Sequence, residues 1–125
     1  MARIEFVAPQ FLVDDLSISI AFYVNTLGFQ TEFTYEGFYA GLARDGAHLH
    51  LKCAPKAEAD RLHRRDGNHL DALFEVSGVE ELQAECKKKA SQAVGDVETH
   101  PWKTRDFIVT DPDGYRLCFT EPAEE

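Results

Sequence analysis

The sequence predicts an α+β fold in which one β-α-β-β-β unit is used twice, and an internal repeat is the main reason. The segment Phe11–Leu16 has a counterpart in Phe74–Val79, and each runs straight into a helical pattern. The Asp-Gly turn at 45–46, which opens a strand, has a counterpart at 113–114. A single module is too small to bury its own apolar face. We therefore expect the two modules to pack as one curved mixed sheet around a cleft.

Length and composition fit one domain with its own core. The chain has 125 residues and a mass of 14.1 kDa, and 44% of its residues are hydrophobic. This is enough chain to bury a sizeable core. We treat 1–125 as a single domain with a first module of about 1–53, a linker of 54–68 and a second module of about 69–121.

Several features argue against membranes, secretion and nucleic acid. No apolar run approaches the roughly 20 residues that a membrane span needs, and the N-terminus lacks the apolar stretch of a signal peptide. Cys53, Cys86 and Cys118 are odd in number and have no Cys-x-x-Cys spacing, which is typical of reduced thiols. A net charge of −9 disfavours nucleic acid, whose binding needs clustered Lys and Arg. We therefore expect a cytoplasmic protein.

The charge is unevenly distributed along the chain. Positive residues cluster between Lys52 and Arg65, so the remaining segments are strongly acidic. Such a surface can simply aid solubility, or it can attract cationic ligands. The sequence leaves both interpretations open.

The first module begins with a predicted strand over Ile4–Val13. Asp14 or Asp15 can cap the helix that follows, and Gly28 is a typical residue at its end. Alternation and turn residues predict three further strands, at Phe29–Tyr35, Tyr39–Ala43 and Ala47–Cys53.

The second module repeats this order after the linker. A strand is predicted at His69–Val76, and Ser77 with Glu80 forms a capping-box pattern for the next helix. Asp111 and Asp113 are interpreted as turn formers before the last strand. The three remaining strands are predicted at Val97–Trp102, Asp106–Thr110 and Tyr115–Glu121.

Alternation along the strands separates an apolar face, which should cover the helices, from a polar face, which should line the cleft. In the fourth strand, Leu49 and Leu51 alternate with His48 and His50. The same rule applied to the fifth and eighth strands completes the predicted polar set: His48, His50, His69, Asp71, Arg116 and Cys118. Polar groups in an enclosed cup need water or a ligand as partners. On an open sheet they would simply face solvent.

Motifs in both modules resemble those of the vicinal-oxygen-chelate superfamily. Residues 13–29 read Val-Asp-Asp-Leu-x-x-Ser-Ile-x-Phe-Tyr-x-x-x-Leu-Gly-Phe, and residues 101–114 read Pro-Trp-x-x-x-x-Phe-x-x-x-Asp-Pro-Asp-Gly. The superfamily includes glyoxalase I, extradiol dioxygenases, fosfomycin-resistance enzymes and bleomycin-resistance proteins. The resemblance covers nearly the whole chain and implies paired β-α-β-β-β modules. Its members perform several chemistries on one scaffold.

The resemblance also implies where a metal would be held. Enzymes of this superfamily place ligands on the first, fourth, fifth and eighth strands, usually His or Gln, Glu, His and Glu. The matching positions here are Ala8, His50, Asp71 and Cys118. Alanine cannot coordinate, neither glutamate is present, and the His and the acid occupy each other's usual strands. We therefore expect no cofactor. A divalent metal held by His50, Asp71 and Cys118 with water is the alternative.

Without a metal, the chain is more similar to the bleomycin-resistance branch, whose members bind cationic glycopeptide antibiotics without altering them. Residues 36–46 resemble the second hairpin of that branch, where an aromatic side chain lines the groove. Residues 100–107 resemble its aromatic-bearing loop. Two positions depart from the pattern: Lys103 replaces the glycine that usually follows the Trp, and Leu73 replaces a groove aromatic.

The predicted ligand-binding residues combine flat rings with polar groups: Phe38, Tyr39, His48, His50, Asp71, Trp102, Phe107 and Arg116. Aromatic groups stack on Trp or Tyr, and a cationic tail gains from a negative field and from cation–π contact. Trp102 could instead belong to a core or a dimer interface. Phe38 and Tyr39 could instead pack within their hairpin.

We therefore expect a binding protein without catalytic residues, which sequesters a small aromatic, cationic compound in the cleft of a homodimer. The resemblance implies a role in antibiotic resistance. It also implies a dimer that exchanges its first strand, with Phe6 and Phe11 supplying apolar contact. The alternative function is a divalent-metal lyase, isomerase or dioxygenase of the glyoxalase type.

Overall fold

The computed structural model describes residues 2–54 and 69–123, in a chain that divides into two compact units, Met1–Glu58 and Ala59–Glu125. The linker predicted at 54–68 lies, apart from Ala54, outside the described residues, and so does most of the positively charged stretch. Within the described ranges, neither helix has the length and apolar character that a membrane crossing requires.

The first unit is a four-stranded mixed sheet with one helix. The elements are β1 (Gln10–Val13), α1 (Leu16–Asn25), β2 (Gln30–Tyr35), β3 (Tyr39–Arg44) and β4 (Ala47–Cys53). Strand β1 runs parallel to β4, while β3 pairs antiparallel with both β4 and β2, in the order β1-β4-β3-β2.

The second unit repeats that topology. The elements are β5 (Ala72–Glu75), α2 (Val79–Lys89), β6 (Glu98–Thr99), β7 (Thr104–Thr110) and β8 (Arg116–Pro122). The strand order is β5-β8-β7-β6, with β5 parallel to β8 and the other pairs antiparallel. The α+β class and the repeated module are therefore confirmed, with two four-stranded sheets where the sequence analysis expected a single one.

Each unit has a core between its helix and one face of its sheet. In the first unit, Tyr23 of α1 is fully buried together with Leu49 and Leu51 of β4. In the second, Val79 of α2 is fully buried, and so is Leu117 of β8. Alternation therefore predicts correctly which face of these strands meets a helix.

Strand β1 is shorter than the prediction of Ile4–Val13, because pairing begins only at Gln10. The His50 N–H donates to the Pro9 carbonyl at 2.9 Å, but Pro9 has no N–H with which to continue the ladder. The preceding apolar side chains remain open to solvent, with Ile4 92% and Val7 81% exposed.

The two helices begin differently. Of the two candidates, Asp14 and Asp15, it is Asp15 that caps α1, since its Oδ1 accepts from the Ile18 N–H at 3.1 Å. The capping box predicted for α2 is wrong, because Gly78 is the N-cap residue and has no side chain to accept a hydrogen bond. The Glu121 carboxylate of β8 accepts instead from Gly78 N–H at 3.2 Å and from Val79 N–H at 3.3 Å. A negative group at a helix N-terminus is stabilising.

Mutation can distinguish the Glu121 cap from the capping box that the sequence predicted at Ser77 and Glu80. Glu121→Ala should lower the free energy of unfolding by about 1 kcal/mol, because two N–H groups of α2 lose their acceptor. Ser77→Ala is the matched control and should cost less than about 0.5 kcal/mol, as for a surface position without a cap. Urea unfolding followed by circular dichroism measures both changes. A larger loss of stability for Ser77→Ala than for Glu121→Ala would indicate that the predicted capping box forms after all.

Candidate functional site

The face of the first sheet that α1 leaves uncovered carries a group of rings, which we call the histidine–aromatic cluster: Phe6, Phe33, Tyr39, His48 and His50. Phe33 stacks on Tyr39 with centroids 6.1 Å apart and planes 15° from parallel. The His50 ring meets both edge-on, at 5.5 and 5.4 Å. Phe6 contacts the His48 ring at 4.6 Å. Three of the predicted ligand-binding residues, Tyr39, His48 and His50, are therefore brought together here.

Hydrogen bonds fix the polar atoms of this cluster. The Tyr39 hydroxyl lies 2.8 Å from His50 Nδ1 and accepts from the Gln10 amide at 3.0 Å. His48 Nδ1 lies 3.3 Å from Glu32 Oε1. Each histidine thus already has a polar partner in the protein.

Gly41 makes room for the Phe33 ring. A Cβ at Gly41 would collide with the Phe33 side chain, so only glycine allows the ring to lie across β3 at this point. The register of β2 shifts between Thr31 and Phe33, which turns Phe33 toward the cluster while Phe29 is buried in the core. Strict alternation would have placed both rings on one face. Phe33 was not among the predicted site residues, and because of this bulge alternation alone would have assigned it to the buried face.

The only tryptophan lies in a tight turn between β6 and β7. The His100 N–H donates to the Thr104 carbonyl at 2.8 Å, and the Lys103 N–H donates to the His100 carbonyl at 3.0 Å. Lys103 takes a φ of 72°, a conformation that glycine adopts more easily. This turn limits β6 to Glu98–Thr99, shorter than the predicted Val97–Trp102. It leaves Trp102 69% exposed.

A stacked imidazole supports Trp102 from one side. The rings of His100 and Trp102 are 4.4 Å apart and within 6° of parallel. His100 Nε2 lies 2.9 Å from Asp106 Oδ1 of β7. We call the pair of stacked rings the Trp102 platform. His100 and Asp106 were not among the predicted site residues, although the His-Pro-Trp sequence and the short spacing to an acid are visible in the sequence.

Cys118 was expected to line the polar face of the sheet. It is instead buried, with only 3% of the residue exposed. Burial, followed by the charge of Asp106 and a hydrogen bond to it, raises the pKa of the Cys118 thiol from 9.0 to about 11. The nearby Arg116 charge lowers this pKa and only partly offsets the rise. The thiol is therefore protonated at neutral pH.

Asp71 and Arg116 form a brace where β5 and β8 begin. Asp71 Oδ2 accepts from the Arg116 backbone N–H at 2.8 Å, and its Oδ1 lies 3.6 Å from His69 Nε2. The Arg116 guanidinium donates to the His69 carbonyl at 3.2 Å. These contacts hold backbone in place, and Asp71 is mostly enclosed by them.

Two other predicted ligand contacts have different surroundings. Phe107 is a core residue, contrary to the expectation, because it is 1% exposed and stacks on Phe119 at 5.3 Å. It follows the apolar alternation of β7 and has no surface to offer a ligand. Phe38 remains 40% exposed at its hairpin and meets Tyr35 edge-on at 5.7 Å.

Asp111 forms the predicted turn by accepting from the N–H groups of Asp113 and Tyr115, each at 2.9 Å.

The superfamily's metal positions carry few donor atoms, and each donor side chain that is present has a partner within its own unit. Ala8 has no donor atom, His50 uses Nδ1 on Tyr39, and Asp71 is engaged by its own brace. Burial raises the pKa of the Cys118 thiol, which makes the thiolate that a metal needs more costly to form. Among the described residues, no three His, Cys, Asp or Glu side chains are grouped so that they could hold a metal.

Comparisons with known proteins agree with this architecture. The sequence model of the Glyoxalase/Bleomycin resistance protein/Dioxygenase superfamily matches residues 3–119. A bleomycin-binding protein from bleomycin-producing Streptomyces verticillus, solved with copper(II)-bleomycin, is 25% identical with a TM-score of 0.71, and the match covers 100% of both chains. A bleomycin resistance determinant encoded on the transposon Tn5 is 20% identical with a TM-score of 0.78, covering 95% of this chain and 98% of that one.

An enzyme shares the fold as well. A glyoxalase-related enzyme from Clostridium phytofermentans is 17% identical with a TM-score of 0.77, and the match covers 97% of each chain. The comparison with curated proteins gave no match. The fold is therefore common to binding proteins and to an enzyme, and only the site can distinguish these functions.

The contact between Gly41 and Phe33 gives a test of the histidine–aromatic cluster. Gly41→Ala should push the half-exposed Phe33 ring off Tyr39 and His50, because the new methyl takes its place. The loss of these ring contacts should cost about 0.5–1.5 kcal/mol of stability. Nuclear Overhauser contacts between the rings and urea unfolding measure the two effects. The control is Gly46→Ala, whose Cβ meets open space. Unchanged ring contacts in Gly41→Ala would contradict the packing described.

Proposed function

Because this chain belongs to the Glyoxalase/Bleomycin resistance protein/Dioxygenase superfamily, we propose that it is a metal-free binding protein of the bleomycin-resistance type. In this proposal it sequesters a small cationic aromatic compound in a cleft of a homodimer. The observation that carries the proposal is Trp102, which is 69% exposed and yet fixed by a tight turn and by stacking on His100.

A large ring held in the open at such a turn is suited to stacking. An exposed indole that served only the fold would be expected to bury at least one face in a core. Here its inner face rests on an imidazole and the other is accessible to a flat guest. The relative from Streptomyces verticillus, whose structure contains copper(II)-bleomycin, supports a guest of this kind.

The state of the candidate metal donors favours binding over metal-dependent catalysis. A glyoxalase-type or dioxygenase-type reaction would require a full set of metal ligands. Instead, Ala8 supplies no donor atom, neither of the usual glutamates is present, and burial raises the pKa of the Cys118 thiol. The donor chemistry therefore supports a protein without a metal cofactor.

The charge of the chain supports a cationic guest. The net charge of −9 creates a negative field that draws cations toward the surface. Close to Trp102, a cation also gains from the electron-rich indole face. Exposed charges are screened over about 8 Å at physiological ionic strength, so this part of the affinity should depend on salt.

Exposed apolar side chains before β1 support the homodimer. Ile4, Phe6 and Val7 are 92%, 51% and 81% exposed, which is unusual for three such residues in one short segment. We propose that a second copy of the chain covers this segment. A closed twofold pair would bury the same surface on both copies.

Light scattering in solution tests the dimer. We expect a mass of twice 14.1 kDa at micromolar concentration. The double variant Ile4→Asp/Val7→Asp should shift the mass toward one chain, because charged groups would then be buried at the contact. Ile18→Asp is the control, since Ile18 is 57% exposed on α1, outside this segment. A wild-type mass of one chain would contradict the dimer.

Calorimetric titration with copper-free bleomycin tests the guest. Each stacking or cation–π contact is typically worth about 0.5–2 kcal/mol, so Trp102→Ala should weaken binding by about two- to thirtyfold. Affinity should also fall at high salt. Ile18→Ala, which removes an exposed apolar side chain from α1, is the control and should bind as wild type does. If Trp102→Ala binds equally well, or if only anionic and neutral aromatics bind, the proposed guest is wrong.

A further inference from the structure

We propose that His100 is a specificity-determining residue, whose charge sets how well the Trp102 platform accepts a cation. The inference rests on the proposed function, because it concerns the same stacking guest. It deepens that function by adding a discrimination between charged and neutral aromatics that varies with pH.

The stacking geometry leaves a guest one face of Trp102. With centroids 4.4 Å apart and planes 6° from parallel, the imidazole of His100 covers the opposite face of the indole. A guest that stacks on the open face of Trp102 therefore has the His100 imidazole directly behind the indole. The electrostatics of that imidazole act on every guest of the platform.

Asp106 fixes the orientation and the tautomer of His100. Its Oδ1 lies 2.9 Å from Nε2, and both side chains are largely enclosed, at 23% and 14% exposed. An ionised carboxylate can only accept hydrogen bonds, so Nε2 carries the hydrogen in the neutral ring. A second proton is then taken up at Nδ1, without breaking the contact to Asp106.

The charged and titratable groups around the imidazole come from each neighbouring element. Asp106 of β7 touches it directly, and the Cys118 thiol of β8 hydrogen-bonds to Asp106. Glu98 of β6 is the register partner of Asp106, and Lys103 lies in the same turn as His100. The Asp106 carboxylate therefore interacts with Cys118 as well as with His100, and it neutralises only part of a positive charge on His100.

Protonation of His100 should therefore weaken the binding of a cation. The imidazolium would interact with the same indole π electrons as the cationic guest. It would also lie about 8 Å from a cation on the open face. At that distance, for groups exposed to solvent in a dielectric close to that of water, the repulsion corresponds to about a two- to fivefold loss of affinity. A neutral aromatic of similar shape carries no charge to repel.

The fluorescence of Trp102 tests the coupling in the protein without a guest. A protonated imidazole stacked on an indole quenches its emission, so wild-type intensity should fall as pH is lowered from 8 to 5. His100→Phe keeps a stacked ring without the charge and should abolish the transition. His69→Phe is the matched control, because it removes another partly exposed histidine of the same unit. A transition that persists in full in His100→Phe would overturn the proposal.

Calorimetry with two probes then tests the discrimination. N-methylquinolinium carries a permanent charge, and 1-methylnaphthalene is its neutral counterpart. Between pH 8 and pH 5.5 at fixed ionic strength, wild type should lose about two- to fivefold in affinity for the first and nothing for the second. His100→Phe should bind both probes independently of pH.

The outcomes separate this inference from the function on which it rests. If both probes bind, with the same pH dependence in wild type and in His100→Phe, the role of His100 is overturned and the proposed binding function stands. If neither probe nor copper-free bleomycin binds wild type, both proposals are overturned.

Discussion

Each sheet of this protein has one helix and two faces, and that constraint determines what the remaining residues can do. The helix covers only one face, so the residues that build each core must point toward it. In β4, Leu49 and Leu51 are fully buried, while the alternate residues His48 and His50 reach the other side. The uncovered faces are therefore free to carry rings and polar groups without cost to the core.

Carboxylates stabilise the second unit at several points where its strands end or turn. Glu121 caps α2, Asp111 closes the turn before β8, and Asp71 holds the start of β8. The Asp106 carboxylate likewise holds the His100 side chain in place. The acidic composition is thus partly structural, and only the remaining charge acts as a long-range field.

The sequence predicts those features that follow from periodicity and local turns. The duplicated module, the helix-facing residues and the Asp15 cap are all local patterns, and the structure has each of them. The Glu121 cap was not predictable in this way, because its acceptor lies 42 residues from Val79 along the chain. Phe33 was not among the predicted site residues, and one register shift in β2 reverses the direction that alternation alone would give it. Phe107 was assigned from a likeness of motif, and its burial follows instead from the strand itself.

The two-faced sheet also explains how far such chains can diverge. Relatives that are 17% to 25% identical keep TM-scores of 0.71 to 0.78, because the fold asks only for apolar residues at alternate positions. Residues on the uncovered face are not bound by this restriction. One half of this chain carries the histidine–aromatic cluster on that face, and the other carries a stacked tryptophan in the turn between β6 and β7. The same module, used twice, thus presents two surfaces of different chemistry.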